Sequence, residues 1–300
     1  MQRMIENGYK IVELCAMIGI SRQAYNKRIK KNLHCGELYN KAEALVVKNR
    51  SNKSRAGLRA IYYKEGLTAV LGVNRFEKEM NQRGHSLKPY RSFLKTTDSR
   101  GHYYKFDNLI EGKEINGTNQ VIVGDITYYR NHSSLFYIFS FTDIYSLEIK
   151  GIYGNKNMDG ENAEKCLRQV MKYTKTYKYH WKLILHTDGG GQYRSDSFQA
   201  MLKNAEIKPN HAKNCLENGL AERVNGIAKN EYLVDYTIRS VTQLNRVLKH
   251  IQYQHNEIWP SSTLGWITPK QFGKWTEGLP LKERPVKTVK EIIKQKKGFL

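Results

Sequence analysis

The sequence predicts an α/β protein: a mixed five-stranded sheet flanked by helices, preceded by small all-α segments. Three observations predict it. Ahead of residue 90 the apolar residues keep helical spacing, with glycines at the breaks. From about residue 120 they gather into strand-like runs rich in Val, Ile, Phe and Tyr. Three such runs follow one another and then give way to alternating helical and strand patterns, the order that builds a mixed sheet with helices on both faces.

Taken in order, YKIVELCAMIGISRQAYNKRIKK spaces Ile11, Leu14, Cys15 and Ile18 as a helix face, breaks at Gly19 and restarts with Ser21 as an N-cap. That is a helix-turn-helix pattern of two short helices, assigned to residues 1–50. Its second helix carries Arg22, Lys27 and Arg28, side chains of the kind that reach phosphates and base edges. Residues 51–90 hold a second helical pair, with Leu58, Ile61, Tyr62, Val73, Phe76 and Met80 inward and Arg75, Lys78 and Arg83 outward, a second candidate DNA-contacting module. Residues 91–117 read as a basic, aromatic linker.

Within 118–275, QVIVGDITYYR, SLFYIFSFTDIYS and LEIKGIYG are three successive strands. A helix (NAEKCLRQVMKYTK), a buried strand (WKLILHTD), a helix (SDSFQAMLKNAE), a short strand (IKPNHA) and a helix around Glu222 follow. A last long helix, VTQLNRVLKHIQYQHNEIW, ends before Pro260. Residues 276–300 read as a Lys-rich tail without a clear fold.

Hydrophobic residues make up 40% of the 300, enough for a globular core over disorder. The net charge of +22 is spread along the chain and points to a polyanion, because each neutralised phosphate releases condensed counterions. Cys15, Cys35, Cys166 and Cys215 form no C-x-x-C pair, and His34 beside Cys35 has no second ligand at zinc spacing, so reduced thiols are expected. No run of 18 apolar residues and no signal-peptide core occurs, which predicts a cytoplasmic or nucleoid-bound protein with no membrane partner.

Three acids carry the chemistry. Asp125 closes the apolar run in QVIVGDITYY, Asp188 closes another in KLILHTDGGGQY, and Glu222 lies in the helical stretch ENGLAERVNGIAKNEYL. An acid at the end of an apolar strand is expensive to desolvate unless a cation meets it. Magnesium takes carboxylate oxygens and completes its shell with water and phosphate, and a two-ion site serves phosphodiester chemistry. Lys229, two helical turns beyond Glu222 on the same face, is placed to touch phosphate, with Asn218 and Asn225 flanking the acid. The three glycines after Asp188 allow close approach of backbone to a ligand. Asp143, in FSFTDIYS, also ends an apolar run and is a rival that a four-carboxylate site would use; Glu217 and Glu231 compete with Glu222. His186, two residues before Asp188, shares its strand face and orients or packs.

Together the motifs GDITYY, FTDIYS, HTDGGGQYRS, LENGLAERVNGIAKNEYL and YQHNEIWPSSTLGWITPKQF resemble the transposases of bacterial insertion sequences of the IS-three group, whose core belongs to the retroviral-integrase superfamily. The resemblance covers roughly residues 10–275. It implies an RNase H-like fold, a catalytic, metal-holding triad at Asp125, Asp188 and Glu222, and Lys229 as the basic position at DNA ends. It implies Mg²⁺ as cofactor, two ions in the full site and Mn²⁺ as a substitute. The implied reaction is cleavage at the ends of the element in double-stranded DNA followed by strand transfer, by a homo-oligomer on DNA and in some members with an upstream-frame product. Two departures stand out. The interval between Asp188 and Glu222 holds 33 residues, about two fewer than that family usually has, and Trp259 replaces the Arg of its Arg-Pro pair, while Asn256, Pro260, Thr268 and Pro269 are in place. An inactive DNA-binding regulator derived from a transposase and an RNase H-like nuclease are the alternative readings.

Overall fold

The computed structural model describes residues 4–5, 8–50, 56–87, 109–110, 112–131, 134–174, 182–188, 190–211, 232–233 and 236–289. The chain divides into two compact units, residues 1–52 with 61–86, and residues 53–60 with 87–300.

In the first unit, helix α1 (Ile11–Ile18) buries Leu14 and Cys15 and ends at Gly19, whose φ of 73° is the left-handed conformation that a helix C-terminus asks of glycine. Ser21 caps the next helix as expected, accepting from Ala24 N–H at 3.1 Å. That helix, α2 (Arg22–Arg50), is not short: it runs 29 residues, because no proline interrupts it and its second half has something to pack on. Ala42 and Val46, one turn apart, are buried there, as are Phe76 and Met80 on α4 (Val73–Gln82), which packs on α2. Helix α3 (Leu58–Lys64) adds Ile61 and Tyr62, whose ring lies 5.5 Å from that of Phe76. Thus the two helical segments share one unit. Arg83, expected to face outward, instead donates to Glu43 at 2.6 Å, Glu79 at 3.0 Å and Asn40 at 2.8 Å, and His85 meets the other oxygen of Glu43. The fork of the guanidinium makes it a tie between α2 and α4.

The second unit contains strands β1 (Glu114–Ile115), β2 (Val121–Asn131), β3 (Ser134–Asp143), β4 (Ile149–Asn155), β5 (Ile184–Thr187), β6 (Lys208–His211) and β7 (Lys287–Thr288). Its described α-helices are α5 (Gly160–Thr174), α6 (Gly191–Arg194), α7 (Asp196–Asn204), α8 (Val241–Tyr253) and α9 (Pro269–Glu277). The sheet order is β4-β3-β2-β5-β6, with β2, β3 and β4 antiparallel and β5 and β6 parallel to β2. This is the RNase H-like arrangement. Alternation along β2 sorts its side chains. Ile122 joins Phe139, Phe141 and Leu185 under α5 and α7, while Val121 and Val123 join Ile184, Tyr145, Leu264 and Phe272 on the other face.

The open edge of β4 is closed by side-chain amides. Asn256 accepts from Ile149 N–H at 2.9 Å and donates to its carbonyl at 3.0 Å; Gln169 treats Ile152 likewise at 3.1 and 2.9 Å, and Asn245 treats Gly154 at 2.9 and 2.8 Å. Each amide stands in for a neighbouring strand, so the edge offers no free pairing surface at those residues. A wider π turn at Gln254–Ile258, continuing α8, carries the buried Asn256. Thr268 and Gln271 form a capping box that starts α9, with Pro269 in its first turn. Asn256, Thr268 and Pro269 of the late motif are therefore a structural clamp and a helix start.

Strand β7 pairs antiparallel with β1, so residues 114–115 and 287–288 belong to the unit that contains 118–275. Lys287 donates to the Tyr145 carbonyl at 2.8 Å and sits 4.1 Å over the Phe272 ring, which gives the tail a fold up to Val289 that its Lys-rich composition hid. Among the described residues no helix is long and apolar enough to cross a membrane.

Candidate active site

The site is set by strand register. In the parallel pair β2 and β5, Val121 is opposite Ile184, Ile122 opposite Leu185 and Val123 opposite His186. Asp125 and Asp188 each lie two positions beyond the Val123–His186 pair. Continued alternation puts both on the same sheet face, Asp125 within β2 and Asp188 just past the end of β5, on neighbouring strands spaced about 4.8 Å apart. Asp125 is half-buried and Asp188 exposed. The Gly190 N–H donates to Asp188 Oδ1 at 3.1 Å, which orients the carboxylate at the head of the glycine turn.

Gly124 is required by its surroundings. A Cβ there would stand 2.3 Å from Phe141 Cε1 and 3.1 Å from Thr187 Cγ2. The Phe141 ring lies across the backbone at that point and seats β2 immediately beside Asp125.

Asp143 is not a rival to this pair. The antiparallel register sets it opposite Ile122, three residues upstream of Asp125 and so about 10 Å along the strand. It is fully buried and accepts from the backbone N–H groups of Asn119, Tyr145 (3.0 Å) and Ser146 (2.7 Å) and from the Ser146 hydroxyl (2.9 Å). Those four donors occupy the carboxylate and fix the turn that leads into β4.

His186 packs in the wall behind Asp188. The Leu109 N–H takes Asn210 Oδ1 at 3.2 Å, so the Asn210 amide nitrogen donates to His186 Nδ1 at 2.8 Å and the imidazole carries its proton on Nε2. Burial, helped by the nearby charge of His211, pushes the His186 pKa down to about 4. His211, at the end of β6, shares a hydrogen bond with the Thr187 hydroxyl at 3.1 Å. Its pKa is lowered by burial first and by Arg194 second, with Asp188 opposing.

Glu222 and Lys229 lie outside the described residues, as do Glu217, Glu231, Asn218, Asn225 and Cys215. Among the described residues no group of three or more His, Cys, Asp or Glu could hold a metal. Arg22, Lys27 and Arg28 are exposed on α2, and Arg75 and Lys78 are exposed on α4, on the face away from Phe76 and Met80. Sequence reading missed the Asn210–His186 pair, whose only signal is a polar residue at alternating positions of β6, and the buried Tyr193 of the Asp188 turn.

Two family models, each described as an integrase core domain, match residues 116–214 and 203–269. Together they span residues 116–269, and this part of the chain is an integrase core domain. The chain is 28% identical over 174 residues to transposase InsF for insertion sequence IS3fB of Escherichia coli (strain K12), covering 55% of this chain and 58% of that protein. It is 24% identical over 244 residues to the transposase for insertion sequence element IS904 of Lactococcus lactis subsp. lactis (strain IL1403), covering 79% of this chain and 94% of that protein. The chain thus spans little more than half the length of the first of these curated relatives. Among solved structures, this integrase-core chain is similar to the HTLV-2 integrase catalytic core domain in complex with magnesium, with a TM-score of 0.42 and 22% identity over 52% of this chain and 97% of that one. It is also similar to a chain of the simian T-cell lymphotropic virus intasome in complex with a PP2A regulatory subunit, with a TM-score of 0.47 and 18% identity over 81% and 77% of the two chains.

Proposed function

We propose that the chain is a DNA transposase that cleaves at the ends of its insertion sequence and transfers the freed strand to another phosphodiester. The observation that carries this reading is the placement of Asp125 and Asp188 at matching positions on adjacent parallel strands of an RNase H-like sheet. The donor set fits a hard divalent cation: two carboxylates from separate strands, with Asp188 exposed and its Oδ1 accepting from the Gly190 N–H. Glu222 is the third holder in this reading. Bound there, Mg²⁺ or Mn²⁺, in one or two ions, supplies neutralisation of phosphorane charge and activation of the attacking oxygen.

The protein groups do the rest. Asp125 and Asp188 are held in place by the sheet and by Gly190 N–H, so little reorganisation is required of them. Lys229 steadies a phosphate beside the acids. Arg22, Lys27 and Arg28 on α2 and Arg75 and Lys78 on α4 bind double-stranded DNA at the terminal repeats by charge. Bringing two ends together requires a homo-oligomer on DNA, with an upstream-frame product as a further partner and the nucleoid as the place of action. The test is end joining in Mg²⁺ with DNA carrying the element's ends. Asp188→Asn is expected to abolish cleavage and joining while end binding persists. Undiminished joining by that variant would sink the assignment.

A further inference from the structure

Helix α8 is fixed on one side and open on the other. Its inner face buries Leu244, Val247, Leu248 and Ile251. Asn245 holds both backbone groups of Gly154, and Gln252 donates to the Ile149 carbonyl at 2.8 Å, so the helix cannot roll on β4. With that face set, the helical period turns Thr242, Arg246, Lys249 and Tyr253 outward in a single stripe. All four are exposed, Tyr253 to 51%.

The cations of this stripe differ from those on the neighbouring helix α5. There Lys165 and Arg168 are each paired one turn back, with Glu161 at 2.8 Å and with Glu164 at 3.4 Å. Helix α8 has no Asp or Glu among its 13 residues. Glu257, the first acid after it, is taken by Lys270 at 2.5 Å. Among the described residues Arg246 and Lys249 have no ion-pair partner, and Arg239, exposed just ahead of the Ser240 cap, adds to the same sign of charge. Two unpaired cations and a tyrosine hydroxyl in one row are the side chains that meet phosphate oxygens along a duplex. A second copy of this chain, with its net charge of +22, is a poor match for such a row.

We propose that the outer face of α8 is a docking surface for the backbone of double-stranded DNA, held without regard to sequence. This rests on the reading of the chain as an enzyme of DNA. It gives the second unit a DNA contact of its own, separate from the exposed cations of α2 and α4 in the first.

The experiment follows duplex binding by the full chain across a salt series, using one duplex that carries the element's ends and one that lacks them. Wild type is compared with Arg246→Gln/Lys249→Gln and with Lys165→Gln/Arg168→Gln, which removes the same charge from α5. Each lost phosphate contact flattens the plot of log affinity against log salt by about 0.9. The α8 variant is therefore expected to lose about 1.8 of slope on both duplexes and to bind more than about tenfold more weakly at low salt. It should melt at the wild-type temperature, since both residues are exposed. The α5 variant should keep the wild-type slope, because its cations are already neutralised. A wild-type slope in the α8 variant, or an equal change in the two variants, would overturn the inference; if that slope came with a lower mass in light scattering, the stripe would be a contact between copies. An effect confined to the duplex with the ends would overturn the sequence-independent contact. Failure of the wild-type chain to bind either duplex would instead overturn the transposase reading itself.

Discussion

Asp125 and Asp143 sit on paired strands and each closes an apolar run, yet the structure treats them in opposite ways. Asp143 is fully buried and takes three backbone N–H groups and a serine hydroxyl, all from residues close to the ends of β2 and β3. Asp125 is half-buried three residues further along the ladder, on the strand next to the one that leads into the exposed Asp188, whose Oδ1 accepts from the Gly190 N–H. A carboxylate surrounded by donors has its charge spent on the fold. The exposed carboxylate of Asp188 keeps its charge available for a cation.

Substitutions at Asp188 and Asp143 should therefore separate chemistry from folding. The largest effect is expected for Asp188→Asn, which should cut end joining at least about a thousandfold, some 4 kcal/mol of transition-state stabilisation. It should shift unfolding free energy by no more than about 0.5 kcal/mol, since the residue is exposed. Asp143→Ala should do the reverse. It strips the acceptor from three backbone N–H groups and should destabilise the fold by about 3 kcal/mol in denaturant titrations. Joining per folded molecule should be nearly preserved; a large loss at full folding would place Asp143 in the chemistry and break the contrast.

Gly124→Ala sharpens the comparison, because it presses on the seat of Asp125 three residues away from Asp143. The Cβ would overlap the Phe141 ring, costing roughly 1–3 kcal/mol of stability. Joining per folded molecule should fall as well, as comparison of activity with circular dichroism at matched temperatures can show.

The smallest effect concerns acid. His186 is neutral in the fold, with its pKa depressed from 6.5 to about 4. The unfolded chain takes up the proton first, so this contribution to stability is complete above pH 6.5 and is lost as pH falls towards 4. The loss should reach about 2 kcal/mol at pH 5. Melting curves of His186→Gln should show a flatter acid limb than wild type over that window; an identical slope would mean that the imidazole is not buried neutral behind Asp188.

Much of this was readable in advance, and the reason differs from element to element. The runs around Ile122, Phe139 and Leu185 alternate or stay apolar as strands must, so the sheet and its helices were legible. The Ser21 cap was legible because capping is local chemistry. Arg83 was misplaced because its partner Glu43 lies 40 residues away, on a helix whose length depends on packing against α4. The β1–β7 pair and the Lys287 perch were hidden for the same reason: residues 114 and 288 look like linker and tail until they meet.

By itself the sequence determined the order of strands and helices, the acids that end apolar runs and the basic character of the chain, because periodicity, capping and charge are carried by neighbours. Only the tertiary structure decided which acid was already satisfied, since the donors on Asp143 arrive through a turn and a strand pairing. It alone put Asp125 and Asp188 side by side, because parallel register is set by side chains packing across 60 residues of intervening chain. It also turned Asn256 from a motif letter into the clamp on β4, a role that exists only once α8 has docked on the edge of the sheet.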